Sequence, residues 1–323
     1  MTISAKIVAD SIHATNGKRI TTFELEYPRF VHAEFMTHRL FSRNAASSRA
    51  IPVKRAIELV KENTARPMHW GKNQPGMSAK EECNELVQAF SHPHGEGTLD
   101  KIAAWDYARD RAIDIASAFD KAGYHKQIVN RLLEPFTHIK VVLTTTELDN
   151  WFWLRNHPDA QPEINELARV MLIEVEKSMP VELSSGDWHL PYFKDGYFKA
   201  DWIALYPLHT GESYTLEDAI AVSSSCCAQV SYRRLDDSLE KARDIYKRLV
   251  ETRPVHASPF EHQAKAMLDD LPDEQYDPFN PFKWEDGVTH IKRDATLWSG
   301  NFCGWVQNRQ LIDGNTCWNY IKN

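Results

Sequence analysis

Three arginines, one histidine and three serines fall within thirteen residues, Thr37-His38-Arg39-Leu40-Phe41-Ser42-Arg43-Asn44-Ala45-Ala46-Ser47-Ser48-Arg49. A guanidinium presents five N–H donors in a planar fork that suits phosphate oxygens or ring carbonyls. Serine hydroxyls and backbone N–H groups can complete an anion cradle around it. The run reads either as such a cradle or as a solvated loop. A serine hydrolase is set aside, because no Gly-x-Ser-x-Gly elbow and no placed aspartate accompany the histidine.

Other residues invite chemistry less strongly. Arg131, in Asn130-Arg131-Leu132-Leu133, is a surface helix cation or an anion ligand. Arg155 closes the aromatic helix Trp151-Phe152-Trp153-Leu154, where it complements the helix C-terminus or reaches an anion. Ser258-Pro259-Phe260-Glu261-His262 reads as a turn opening a helix, with Ser258 as cap and His262 as a core histidine. Gly300 to Arg309 is either a tight packing corner or a surface for a planar ring. No metal site is expected: His92 and His94 flank Pro93 in a turn, and Cys226 and Cys227 are adjacent. Neither a Walker loop nor a Gly-x-Gly-x-x-Gly fingerprint is present.

The elements that must position these residues follow from periodicity. Residues 19–36 read as extended, interrupted at Pro28, and Ile139–Leu143 as a short strand. Helices are expected over Ser78–Phe90, Lys101–Ala122, Lys126–Leu133, Glu147–Arg155, Pro162–Ser178 and Leu235–Glu251. In the long second one, Ile102, Trp105, Ala108, Ala112, Ile115 and Phe119 form the inward stripe, and Gly123 stops it. Trp151, Phe152 and Leu154 are expected to pack inward. Residues 181–216 read as an irregular connecting arm, and Leu268–Asp286 as an acidic loop.

With 323 residues the chain can bury a substantial core in two domains or one large one. We divide it into residues 1–180, carrying the arginine motif, the arm 181–216, and a C-terminal half 217–323. The net charge of -7 argues against a general nucleic-acid binder, which needs a broad positive surface. Five cysteines without zinc-knuckle spacing, and no secretory or membrane-spanning stretch, point to a reduced, cytoplasmic protein without membrane partners.

Taken together, these blocks resemble the flavin-dependent thymidylate synthase family. That family carries Arg-His-Arg, seven residues, a serine, and an arginine two further on; here the run is Thr37-His38-Arg39, seven residues, Ser47 and Arg49. A second block matches in order and approximate spacing: Gly123, Lys126, Asn130-Arg131, Leu132-Leu133-Glu134-Pro135, Asn150-Trp151-Phe152-Trp153-Leu154-Arg155 and Ala160-Gln161-Pro162-Glu163-Ile164. Ala228-Gln229-Val230-Ser231-Tyr232 and Ser258-Pro259-Phe260-Glu261-His262 also resemble family segments. Those stand before the arginine motif in the family and after it here, as in a circular rearrangement, which is tolerable where old termini lie close on the surface.

The resemblance implies a mixed α/β fold with its motif blocks in permuted order, usually assembled as a homotetramer with shared sites. It implies FAD as cofactor, with NADPH and 5,10-methylenetetrahydrofolate as co-substrates, and a deoxypyrimidine nucleotide monophosphate as acceptor. His38, Arg39, Asn150 and His262 resemble the flavin-holding positions. Glu34, Ser47, Arg49, Arg131 and Arg155 resemble the nucleotide-binding ones, with Arg155 catalytic and Ser47 not a nucleophile. Four departures stand out: Thr37 replaces the first arginine of the motif, Ala45 a usual glutamate, Glu34 a glutamine and Asp159 a flavin-contacting histidine. A carboxylate accepts from a cytosine amino group more naturally than from a uracil carbonyl. Deoxycytidylate methylation or hydroxymethylation is therefore the alternative to thymidylate synthesis, and a non-catalytic flavin- or nucleotide-binding protein the other.

Overall fold

The computed structural model describes residues 3–76, 79–92, 95–201, 214–231, 235–268 and 280–319. Its centre is a five-stranded sheet built from β1 (Ser4–His13), β2 (Arg19–Pro28), β3 (Ser42–Ala45), β6 (His138–Thr145) and β7 (Val181–Leu183), in the order β3-β6-β2-β1-β7. β1 and β2 form a hairpin closed at Gly17, whose φ of +68° is cheap only for glycine. β6 pairs antiparallel with both β2 and β3, and β7 adds on parallel to β1. In this register Thr22 lies opposite Thr144, and Thr144 opposite Ser42. A row of hydroxyls therefore crosses three strands.

Each face of the sheet is covered. Phe23, Leu25 and Tyr27 of β2 and Ile139, Val141 and Leu143 of β6 alternate toward two helices, α5 (Asp149–Arg155) and α6 (Pro162–Lys177). Ile164, Leu167, Ala168 and Met171 of α6 return every three or four residues to meet them. Each fully buried large side chain of this kind contributes roughly 1.5–3 kcal/mol. The opposite face meets a second sheet, β14-β10-β8-β9, of β8 (Trp188–His189), β9 (Tyr197–Phe198), β10 (Ala264–Ala266) and β14 (Trp305–Gln307). Ile20, Leu183, Ala264, Ala266, Phe302 and Trp305 form the contact between the two sheets. The fold is thus a mixed α/β one, as expected.

The remaining elements flank this stack. Two short helices, α1 (His32–Phe35) and α2 (Val53–Glu62), lie on either side of β3 in sequence. α3 (Lys101–Lys121) is capped by Asp100, which accepts from the Ile102 and Ala103 N–H groups, and Gly123 at φ +88° follows its end. α4 (Lys126–Val129) runs into a 3-10 stretch, Asn130–Phe136. α7 (Leu216–Ala228) begins with a Thr215–Asp218 capping box and packs on α8 (Leu239–Glu251). A hairpin of β4 (Val87–His92) and β5 (Gly95–Leu99), and a small sheet of β11 (His290–Ile291), β12 (Leu297–Ser299) and β13 (Phe302–Cys303), complete it.

Several local expectations change. Ser78–Phe90 is not a helix: residues 79–86 form no helix or long strand, and Val87 starts β4. The charged run from Lys80 to Glu85 offers no apolar face to bury, whereas pairing with β5 satisfies the backbone directly. The extended segment from residue 19 ends at Pro28 and turns into the 3-10 piece Arg29–Val31 and then α1. The inward line of α3 is Trp105, Ala112, Ile113, Ala116 and Phe119, while Ile102 and Ile115 are 49% and 52% exposed. Leu154 is likewise 40% exposed, so Trp151 is the residue that anchors α5.

Within the expected arm, β7, β8 and β9 form, and residues 202–213 lie outside the described residues, as do His94, Tyr232 and residues 269–279 of the acidic loop. Among the described residues, all five cysteines are free and no helix is long and apolar enough to cross a membrane.

Candidate functional site

The first cluster is built where α1 turns into β3. His38 sits with its ring edge against Trp151 of α5, the centroids 4.6 Å apart, and Arg155 at the end of that helix donates from Nε to His38 Nε2 at 3.0 Å. A guanidinium can only donate, so His38 Nε2 is the bare nitrogen and its proton sits on Nδ1. Burial, then the Arg155 and Arg43 charges, lower the pKa of His38 to about 4, so the ring is neutral near pH 7. The pair therefore presents a neutral Nδ1–H donor beside a permanent cation. Arg43, which the motif reading left without a separate role, is structural: it donates to the Phe35 carbonyl at 2.9 Å and lies over the Phe35 ring. Glu34, Thr37, Arg39 and Asn150 are exposed, the first three within four residues of His38 and Asn150 in the first turn of α5.

The second cluster joins the end of the motif to the Asn130-Arg131 block. Asn130, 3% exposed, donates from Nδ2 to the carbonyls of Ser48 (2.7 Å) and Ile51 (2.9 Å). Ser48 donates to Glu134 at 2.8 Å, and Glu134 also pairs with Arg29 at 3.2 Å and Arg131 at 3.4 Å. These ties bring Arg49 and Arg131 to one open depression of about 540 Å³, lined also by Phe119, Gln127, Ile128 and Leu132. Ser47 Oγ accepts from the Arg49 N–H at 3.3 Å. Ala46, Ser48 and Ala50 instead line a cavity of about 510 Å³ that includes Asn130 and Glu134.

The third cluster lies between the two sheets. Ser258–Glu261 is a single 3-10 turn with no side-chain cap, rather than the start of a longer helix, and it packs on β3. His262 follows it, fully buried, with Nδ1 2.9 Å from Thr144 Oγ1 and Nε2 lacking a hydrogen-bond partner among the described residues. Thr144 Oγ1 lies 2.7 Å from Thr22 Oγ1, Thr22 Oγ1 lies 2.8 Å from His189 Nε2, and His189 Nδ1 lies 2.9 Å from Ser11 Oγ. Burial pushes both imidazoles down to about 3; nearby Asp10 only partly offsets this at His189, and His189 adds to it at His262. Gln307 ties the same layer together, donating to Ser42, to Asn301 and to the Glu261 carbonyl, while Arg309 pairs with Glu261. Gly300 and Gly304 thus bound a buried packing corner, with Phe302 and Trp305 inaccessible to solvent.

The sequence-distant blocks therefore reassemble. The turn Gln229–Ser231, from the Ala-x-Val segment, packs on β3 and β6, and Asn44 donates to the Cys227 carbonyl at 3.3 Å. His38 meets Arg155, and Arg49 meets Arg131, but no hydrogen bond or ion pair among the described residues joins these two pairs to each other. Ser11, Thr22, Thr144 and His189 were absent from the sequence-based site. For Ser11, Thr22 and Thr144 the sequence signal is a hydroxyl at a strand position opposite the apolar alternation, and His189 carries no such signal.

Residues 18–181 match the family model described as thymidylate synthase complementing protein. Among solved structures the chain is similar to that of a UMP/dUMP methylase, PolB, from Streptomyces cacaoi bound with 5-Br dUMP. That likeness has 15% identity, covers 55% of this chain and 91% of that one, and has a TM-score of 0.37. No curated protein matches the chain.

Proposed function

We propose, for a chain that belongs to the thymidylate synthase complementing protein family, that it is an FAD-dependent enzyme placing a one-carbon group on C5 of a deoxypyrimidine nucleotide monophosphate. Deoxyuridylate is the substrate and thymidylate the product in this reading. The observation that carries it is the convergence of the motif blocks: the Asn130–Ser48 and Arg155–His38 bonds tie the two N-terminal blocks together, and the His262–Thr144 bond brings the C-terminal block onto β6. 5,10-Methylenetetrahydrofolate would donate the carbon and NADPH the reducing equivalents.

The residues present fit a flavin. Among the described residues, His262 Nε2 is buried without a partner and the His38 Nδ1–H makes no hydrogen bond. His38, Arg39, Asn150 and His262 would hold the ring system. When bound, FAD supplies hydride to reduce the transferred carbon. Arg155 spends Nε on His38 and keeps its terminal N–H donors for a pyrimidine carbonyl. Negative charge develops there as C5 becomes nucleophilic, so Arg155 is the catalytic residue. Arg49 and Arg131, both exposed on one depression, would grip the phosphate, and Ser47, beside Arg49 in sequence, would lie at the nucleotide site. A homotetramer would let residues of different protomers complete one site.

Glu34 favours a second reading. Its exposed side chain has no ion pair with a described residue, and it offers acceptors where an amide would offer both donor and acceptor. Deoxycytidylate, or a hydroxymethyl product, is the corresponding substrate or outcome. The test is a visible spectrum of the purified protein, identification of released flavin, and turnover with deoxyuridylate and deoxycytidylate side by side. Bound FAD with folate-dependent thymidylate formation is the expected result. A protein that neither contains nor takes up FAD would overturn the redox reading, and bound FAD without any product would point to a non-catalytic binder.

A further inference from the structure

Ser11, His189, Thr22, Thr144 and His262 form one buried hydrogen-bonded chain, with four links between 2.7 and 2.9 Å. Its two ends differ. Ser11 is 1% exposed and bonded to His189, whereas His262 ends in Nε2, which is enclosed and has no partner among the described residues. Both rings are neutral at physiological pH, so each of the five members carries one exchangeable proton. Five protons serve four links, and one is left over.

Where the surplus proton sits decides what the chain does. If Ser11 donates to His189 Nδ1, then His189 Nε2–H donates to Thr22, Thr22 to Thr144, and Thr144 to His262 Nδ1. The surplus proton is then on His262 Nε2, and it is the one unsatisfied group of these five described residues. If the chain runs the other way, the Ser11 hydroxyl hydrogen has no acceptor among its bonds and His262 Nε2 is left bare as well. Leaving the surplus on Thr22 or Thr144 strands a hydroxyl hydrogen between the sheets and again leaves Nε2 bare. Buried polar groups without partners are costly, so the arrangement with the fewest of them prevails.

We propose that Ser11, His189, Thr22 and Thr144 are positioning residues that hold His262 in its Nε2–H tautomer, presenting a single fixed donor to an acceptor atom of the bound group. That group is a heteroaromatic ring with a carbonyl oxygen or an unprotonated ring nitrogen at its edge. Its identity as the flavin rests on the proposed function; the tautomer does not. Four of the five members lie on neighbouring strands of the stacked sheets, β1, β2, β6 and β8, so the donor's direction is set by strand register rather than by a loop.

The test is the long-range nitrogen–proton spectrum of histidine-labelled, flavin-free protein at pH 7, with the His262 and His189 signals assigned from H262Q and H189Q. Expected are two single neutral tautomers, each with the proton on Nε2. T144V, which removes the hydroxyl and keeps the shape, should leave His262 populating both tautomers. It should also weaken FAD affinity about 3- to 10-fold, the effect of one neutral hydrogen bond. S11A, at the far end, should loosen the same preference and serves as the second variant if T144V does not fold. A His262 proton on Nδ1 in the wild-type protein, or an unchanged His262 tautomer in both variants, would overturn the relay. If the tautomers are as expected but FAD does not bind, the relay stands and the flavin reading alone fails.

Discussion

The surface arginines and the buried histidines handle polarity in opposite ways. Arg49 and Arg131 are exposed at an open depression, and Arg131 forms a 3.4 Å ion pair with Glu134. Water already solvates them, so keeping two cations side by side costs little and removing one should barely touch stability. His189 and His262 are fully buried, neutral, and hydrogen-bonded at every ring nitrogen but one. Altering them disturbs the fold and the site together. The His38–Arg155 pair lies between these extremes, half-buried against Trp151. Charge stands at the rim, while the neutral polar groups are held inside the sheet stack.

The largest effect expected from breaking this pattern is at Arg155. Arg155→Ala should lower kcat/KM for the nucleotide by about 100- to 1000-fold, the usual cost of losing a donor aimed at developing charge. It should also let the His38 pKa rise from about 4, because the second-largest cause of its depression is gone while burial remains. Steady-state kinetics and a histidine NMR titration check both. Unchanged turnover would remove Arg155 from the chemistry.

At the rim, Arg49→Ala and Arg131→Ala should each weaken nucleotide binding by about 10- to 100-fold, from charged hydrogen bonds of about 1.5–3 kcal/mol. Melting temperatures should stay within about 1–2 °C, since only exposed contacts are lost. Calorimetry and thermal unfolding separate the two quantities. A large drop in melting temperature at either position would mean that the rim and the interior are not distinct in the way described.

Acid should act on the interior first. An imidazole that titrates near 6.5 when unfolded and near 3 when folded binds its proton preferentially in the unfolded chain between those values. Its contribution is therefore fully present above pH 6.5 and is lost as pH falls through that window. His189 and His262 should each add up to about 1.4 kcal/mol of destabilisation per pH unit there. Denaturant midpoints from pH 7 to pH 4 should fall steeply in the wild type, and more gently in H189Q relative to that variant's own value at pH 7.

Periodicity made some of this visible beforehand and hid the rest. α3, α6 and β6 were legible because their apolar spacing repeats over several turns or alternations. The motif spacing singled out His38, Ser47, Arg49, Arg131 and Arg155, and the fold brings His38 to Arg155 and Arg49 to Arg131 in two separate clusters. The register that faces Thr22 and Thr144 away from the helices was not, because it depends on pairing between strands 122 residues apart. His189 was missed for the same reason: its partner Ser11 lies 178 positions away, and it stands in a segment read as irregular. Ile102 and Ile115 were misplaced on α3 because the helix buries a narrower face than its apolar residues would fill.

The smallest predicted effect bears on which base the rim admits. Glu34 is exposed on α1, one turn before His38, with its backbone carbonyl taken by Thr37 and no described ion pair on its carboxylate. A carboxylate can accept from the amino group of cytosine but can give nothing to the O4 carbonyl of uracil, whereas a glutamine amide can do either. Glu34→Gln should therefore raise the ratio of deoxyuridylate to deoxycytidylate kcat/KM by about 3- to 10-fold, the value of one neutral hydrogen bond. Stability should not change, because no buried contact is involved. The measurement is a competition assay with both nucleotides in one vessel, which cancels errors in enzyme concentration. A ratio that does not move would place Glu34 away from the base.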